Sequence, residues 1–201
     1  MNNGIVVILS GPSGCGKGTI MKKLSELNPN IVQSISATTR KKRRTEKDAI
    51  DYFFYTREEF EELIKQDQLL EYAEYNGNYY GTPRKPVEMC LKKDNDVILE
   101  IEIEGADKVR QYLKTVDIFV LPPSLKELEK RLRKRNSESD EQIASRLAIA
   151  KKEMQEIGKY MYVVINDDFE KAAFQINSII QAERCRLPLQ IDKIKKIVDL
   201  G

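Results

Sequence analysis

Seven residues near the start of the chain, Gly11-Pro12-Ser13-Gly14-Cys15-Gly16-Lys17, have the types and spacing to hold a row of phosphates. Glycines at 11, 14 and 16 let the backbone curl until successive N–H groups point inward, where side chains would block an anion. Lys17 adds a full positive charge beside β- and γ-phosphates, and a helix starting there adds the positive end of its dipole. Gly18 stands where such loops commonly carry the Ser or Thr hydroxyl that ligates Mg²⁺, and Thr19 follows, in reach of an α-phosphate. Magnesium is therefore expected to be held mainly by phosphates and water, with no direct protein ligand assigned.

The other chemistry-bearing residues are charged. Arg40 to Arg44 and Arg131 to Arg135 are basic runs in a chain whose 34 Lys and Arg nearly balance 32 Asp and Glu. Such runs are solvated faces, nucleic-acid patches or, beside a phosphate loop, clamps for a second phosphate. A net charge of +2 does not by itself imply a nucleic-acid polymer. Histidine is absent, which excludes histidine-based triads and the usual zinc sites. Cys15, Cys90 and Cys185 are far apart with no CxxC pair, as expected of reduced thiols in the cytoplasm. In Cys15 the neighbouring amides and Lys17 are expected to favour the thiolate. No apolar run approaches a membrane span.

The elements that must position these groups can be read from periodicity. Ile5 to Leu9 is a buried strand, and helical spacing follows at Ile20, Met21, Leu24 and Leu27. Strands are expected at Ile31–Thr38, Asp51–Tyr55, Leu69–Tyr75, Asn78–Thr82, Val97–Ile103, Asp117–Leu121 and Tyr162–Ile165. Asn76-Gly77 predicts a type I′ hairpin. On the Val97–Ile103 strand, Glu100 and Glu102 would share one face. Helices are expected after Thr56 (capped with Glu59), from Pro83 to Lys93, Gly105 to Leu113, Ser124 to about Arg135, Asp140 to Gly158, and Asp168 to Arg184. Leu187–Gly201 reads as a packed amphipathic helix or a frayed tail. Alternating strands and helices imply an α/β fold, a doubly wound parallel sheet with helices on both faces. Residues 1–32 and 95–186 would form that core and 33–94 a small mixed α+β insertion. A short helical lid would lie around 135–145 and an extension at 187–201.

The spelling GKGT at residues 16–19 resembles the nucleoside monophosphate kinases. SISATTRKKRRTEKDAIDY (34–52), LLEYAEYNGNYYGT (69–82), VILEIEIEGA (97–106), LPPSLKELEKRLRKRN (121–136), SRLAIA (145–150) and VINDD (164–168) resemble guanylate kinase, in that family's order. The resemblance implies ATP on residues Gly11, Pro12, Ser13, Gly14, Cys15, Gly16, Lys17, Gly18 and Thr19, with Arg135 and Asn166 near its adenine. It implies that Arg40, Arg43, Tyr52 and Tyr80 hold the GMP phosphate, that Glu71 reads the guanine with Ser36, Thr82 and Glu102 around it, and that Glu100 also belongs to the GMP site. Lys17, Arg40, Arg131, Arg135 and Arg146 would be the catalytic charge set. For Arg131 and Arg146 the alternative is a helix-surface pairing with Glu127 or Glu153. The chain departs from the family's pattern at Lys42 and Thr45, at Ala49-Ile50, and in carrying Glu at 100 and 102 where Asp is usual.

The expected activity is transfer of the γ-phosphoryl group of ATP to GMP with Mg²⁺, by a cytoplasmic monomer or homodimer with no nucleic-acid or membrane partner. A related kinase with another acceptor and a non-catalytic interaction module of the same fold are the two other readings. Retention of Lys17, Arg40, Arg43, Glu71 and Tyr80 weighs against the module.

Overall fold

The computed structural model describes residues 4–134 and 139–198. Strand β1 (Val6–Ser10) is buried along its whole length because both of its faces are covered. Val7 and Leu9 point to one side, into a core with Ile20, Leu24, Ile118, Ile176 and Ile180. Val6 and Ile8 point to the other, against Val97, Leu99, Ala106 and Val109. A continuous apolar run, mostly β-branched, is what a central parallel strand requires. It is flanked by β7 (Asp96–Glu100) and β8 (Thr115–Leu121), with β2 (Ile31–Gln33) and β9 (Tyr162–Ile165) at the edges. All four pairings are parallel. Helix α1 (Lys17–Leu27) and α7 (Phe169–Arg184) cover the first face. On the second face lie α3 (Arg84–Lys92), which contributes Val87 and Leu91, and α4 (Ile103–Val109).

Between β2 and α3 the chain builds a second sheet, in the order β4-β3-β6-β5. Its strands are β3 (Ala37–Thr38), β4 (Phe53–Phe54), β5 (Leu69–Tyr75) and β6 (Asn78–Pro83). Asn76 and Gly77 both have positive φ, 49° and 73°, as the type I′ hairpin between β5 and β6 demands. Helix α2 (Arg57–Lys65) begins with the expected capping box: Thr56 Oγ accepts from the Glu59 amide, and the Glu59 carboxylate accepts from that of Thr56. Phe60 on α2 stacks on Tyr79 of β6 at 5.3 Å and anchors the helix to this sheet.

Five of the expected elements are corrected. Ile31–Thr38 is not one strand: Gln33 ends β2 in the main sheet and Ala37 starts β3 in the other, so the segment between them crosses from sheet to sheet. The strand expected to reach Ile103 stops at Glu100, and α4 starts at Ile103 rather than Gly105 and ends at Val109. Glu100 and Glu102 therefore do not alternate along one strand. Strand β4 keeps only two residues of Asp51–Tyr55. After α5 (Leu125–Arg133), α6 (Asp140–Gln155) ends three residues early, in a 3₁₀ turn at Glu156–Lys159. Helix α8 (Leu187–Val198) forms, with Leu189 packed on the core of the first face. Arg135 and the 135–138 part of the expected lid lie outside the described residues.

Candidate active site

The loop between β1 and α1 is shaped by its glycines. Gly11, Gly14 and Gly16 have φ of 148°, 92° and 99°, and each is closely approached from outside. A Cβ on Gly11 would sit 2.2 Å from the Val120 carbonyl oxygen, and one on Gly16 2.3 Å from Asn166 Nδ2. Asn166 is buried at the end of β9, and its amide donates to the Cys15 carbonyl at 2.7 Å. Arg131 on α5 donates to that carbonyl (3.3 Å), to the Asn166 carbonyl (2.9 Å) and to Glu127 (3.3 Å). Arg131 thus makes the Glu127 pairing that was the alternative to a catalytic role, and braces the loop as well.

Lys17 folds over this turn, its Nζ donating to the Gly11 carbonyl at 2.7 Å. The loop rims a cleft of about 390 Å³ lined by Ser13, Gly14, Gly16, Lys17, Gly18, Thr19, Lys22 and Glu100. Cys15 does not behave as the sequence suggested. Its thiol is fully buried, and desolvation outweighs the attraction of Lys17, so its pKa lies above the ordinary thiol value. Arg146 is half-buried on α6. Seven residues along the same helix, Glu153 is half-buried and its pKa is raised by burial, against the pull of Lys17.

A second cleft, about 370 Å³, lies against the smaller sheet and is lined among others by Ser36, Tyr52, Glu71, Tyr80, Glu100 and Glu102. Glu71 on β5 is the buried acid in it, 9% exposed. Thr82 on the paired strand donates its hydroxyl to Glu71 Oε1 at 2.6 Å, and the other oxygen packs against Gly105, where a Cβ would come within 2.9 Å. Burial raises the Glu71 pKa, partly opposed by Thr82 and Lys108. Glu102 is the N-cap residue of α4 but leaves its carboxylate out of the cap, exposed toward the cleft. Glu100 lines both clefts and accepts from Gln33 Nε2 at 3.2 Å.

At the edge of this cleft Arg40 lies over the rings of Tyr52 (5.5 Å) and Phe54 (5.9 Å), and the Tyr52 and Tyr80 rings meet at 6.2 Å. Burial pushes the Tyr52 phenol up. Arg43 is exposed in the loop beyond, its amide bonded to Glu46. Ala49 holds a left-handed φ of 57° that glycine would adopt without strain.

The sequence-derived residues thus fall into two groups joined at Glu100. Lys22, Gln33, Glu46 and Lys108 were not foreseen. Lys22 falls one helical turn after Gly18, the one available signal for it; Glu46 bonds to Arg40 and Arg43 within its own loop, and Gln33 and Lys108 depend on contacts between distant segments.

A phosphate loop on the central strand of a parallel sheet, sharing a wall with a second cleft that holds a buried carboxylate, is the arrangement of a phosphate-loop kinase with a small acceptor. The family model described as guanylate kinase matches residues 3–183. A guanylate kinase of Desulfitobacterium hafniense is 50% identical over 187 residues, 92% of this chain and 94% of the relative. One of Halalkalibacterium halodurans is 46% identical over 198 residues, covering 98% and 97%. The crystal structure of guanylate kinase from Anaplasma phagocytophilum superposes with a TM-score of 0.76 at 34% identity, covering 96% of this chain and 94% of that one. The chain belongs to the guanylate kinase family.

Proposed function

We infer that the protein transfers the γ-phosphoryl group of ATP to GMP, giving ADP and GDP. The observation that carries this reading is the buried Glu71–Thr82 pair in a cleft that shares Glu100 with the phosphate loop. An ionised Glu71 accepts from both N1–H and the 2-amino group of guanine, whereas adenine offers a lone pair at N1 and leaves the carboxylate unpaired. Thr82 occupies one lone pair of Glu71 and fixes the carboxyl plane. Ser36, Glu100 and Glu102 complete the surroundings proposed for the nucleoside. Arg40 and Arg43, with the hydroxyls of Tyr52 and Tyr80, would take the GMP phosphate, since a guanidinium matches a phosphate in charge and in forked geometry.

On the donor side, the backbone of residues 11–19 would cradle the ATP phosphates. Phosphoryl transfer asks little covalent help of a protein; it asks for alignment and for neutralisation of the equatorial oxygens. The attacking GMP oxygen is already ionised, so no general base is required. Lys17 supplies charge at the transferred group, and Arg146 and Arg135 are proposed to add to it. Arg131 and Asn166 hold the loop in shape through the Cys15 carbonyl, so Arg131 acts by bracing the loop as well as by its charge. Among the described residues no cluster of three or more metal-ligating side chains occurs. Ser13, Thr19 and Glu100 bring side-chain oxygens to the loop's cleft, and these suit a Mg²⁺ that arrives on the ATP phosphates with its waters. That ion would neutralise β- and γ-phosphate charge.

The division proposed is an ATP-carrying core with residues 33–94 as the GMP-carrying unit. The packing of Val87 and Leu91 in the core favours a working boundary nearer Pro83. A cytoplasmic location is consistent with three free thiols and with the finding that no described helix is long and apolar enough to cross a membrane. ADP formation in a coupled assay tests the activity. Addition of GMP to protein, ATP and Mg²⁺ should start turnover, with little ATP consumed before it. No ADP on adding GMP, despite GMP binding, would favour the interaction-module reading.

A further inference from the structure

We propose that Glu46 is the positioning residue of the phosphate clamp, fixing which edge of the Arg40 guanidinium is offered to the acceptor's phosphate. Its two oxygens accept from Arg40 Nη1 (3.1 Å) and Nη2 (2.8 Å), an end-on fork. The oxygen shared with Nη1 also accepts from the Arg43 amide at 2.8 Å. The second Nη1 hydrogen goes to the Lys41 carbonyl at 2.8 Å. A guanidinium has five N–H donors. Glu46 and the Lys41 carbonyl take three of them, and the side edge, Nε–H and the outer Nη2–H, is left facing the Tyr80 hydroxyl. These two are parallel neighbours on the side edge of the plane, a spacing that matches two oxygens of one phosphate.

The pair is not an ordinary surface ion pair, which contributes little. The side chains of Arg40 and Glu46 are 19% and 14% exposed. The guanidinium is also stacked over Tyr52 and Phe54, and Tyr80 lies beside it. With ring faces below and Glu46 at its tip, the plane leaves one edge clear of any carboxylate, beside the tyrosine hydroxyls proposed to share the phosphate. Glu46 also ties the backbone at Arg43 to the same carboxylate, so one side chain sets the relative placement of both clamp arginines. The cost is a negative charge close to an anionic ligand. Positioning and electrostatics therefore predict opposite signs when Glu46 is removed.

This proposal rests on Arg40 holding the GMP phosphate, and the experiment separates the two. GMP and ATP KM and kcat are measured for Glu46→Ala, Glu46→Gln, Arg40→Ala and the Arg40→Ala/Glu46→Ala double variant, each checked for an unchanged melting profile. Loss of orientation should raise the GMP KM about tenfold in Glu46→Ala and less in Glu46→Gln. ATP KM and kcat at saturating GMP should stay near wild type. In the Arg40→Ala background, Glu46→Ala should add less than about twofold, because the residue acts through Arg40. A GMP KM that falls or stays constant in both Glu46 variants would overturn the proposal, leaving Glu46 as a competitor of the phosphate. A full tenfold effect persisting without Arg40 would overturn it as well. An unchanged GMP KM in Arg40→Ala alone would overturn the clamp reading and the proposal with it.

Discussion

At the scale of single residues the site is defined by groups held away from their most comfortable state. Glu71 is a carboxylate in a largely buried position with one hydroxyl donor, so its charged form is disfavoured until a ligand supplies more donors. Its pKa is raised, so the carboxyl's ionised form lowers the stability of the free protein. The stability present below the ordinary glutamate value is lost as pH rises through the higher folded value. Glu71→Gln removes that loss while keeping an acceptor for Thr82. The variant should melt higher than wild type at neutral pH, and the difference should shrink as pH falls through that window. Its GMP KM should rise, and the extra rise that wild type shows as Glu71 protonates should be absent. GMP's own phosphate titrates near pH 6, but equally in both proteins, so the difference between the profiles belongs to Glu71. A lower melting temperature with unchanged GMP KM would make Glu71 a structural acid. Ala49 and Cys15 show what a single residue hides. The sequence marks Ala49 as a substitution for glycine but not that it keeps glycine's left-handed φ, and Cys15's chain neighbours suggest a thiolate that its burial disfavours.

At the scale of elements, what was legible followed from local rules and what was not followed from contacts between distant segments. Glycine spacing, the β-branched run of β1, the Thr56–Glu59 box and the Asn76-Gly77 turn each state their own structure. The run VILEIEI keeps alternating beyond the point where β7 ends, and nothing local stops it. The chain turns into α4 because Ser10 Oγ donates to the Ile101 carbonyl at 2.7 Å and Glu71 packs on Gly105. Both partners come from other elements. The same holds for the brace beneath the phosphate loop, where α5 and the end of β9 meet at the Cys15 carbonyl. Gly16→Ala tests that brace. Its Cβ would displace Asn166 and force a residue with a side chain to φ of 99°. We expect a loss of about 2–4 kcal/mol in stability and a rise in ATP KM that exceeds the rise in GMP KM. Equal effects on both substrates would mean the brace serves the fold and not the loop.

At the scale of the whole molecule the fold keeps two clefts on separate sheets and joins them at the end of β7. The order β2-β7-β1-β8-β9 places the phosphate loop on the middle strand, and the segment between β2 and α3 supplies the second sheet. Residues 36, 40, 43, 52, 71, 80 and 82 come from that segment, while Glu100 and Glu102 belong to the core. A GMP bound between them would touch both units, which is the geometry needed to couple acceptor binding to closure over ATP. Which side chains meet across the two units was not legible from spacing alone; the resemblance named the site residues, and the pairings come from the fold. A buried carboxylate in the acceptor cleft is proposed to select guanine for phosphoryl transfer. The measurement is the ratio of kcat/KM for GMP over AMP, in wild type and in Glu71→Gln, with ATP and Mg²⁺ saturating. The expected ratio is about 10⁴ or more in wild type, with a fall of at least about 10²-fold in the variant, from loss of GMP use. A wild-type ratio near one, or a high ratio that Glu71→Gln leaves unchanged, would contradict it.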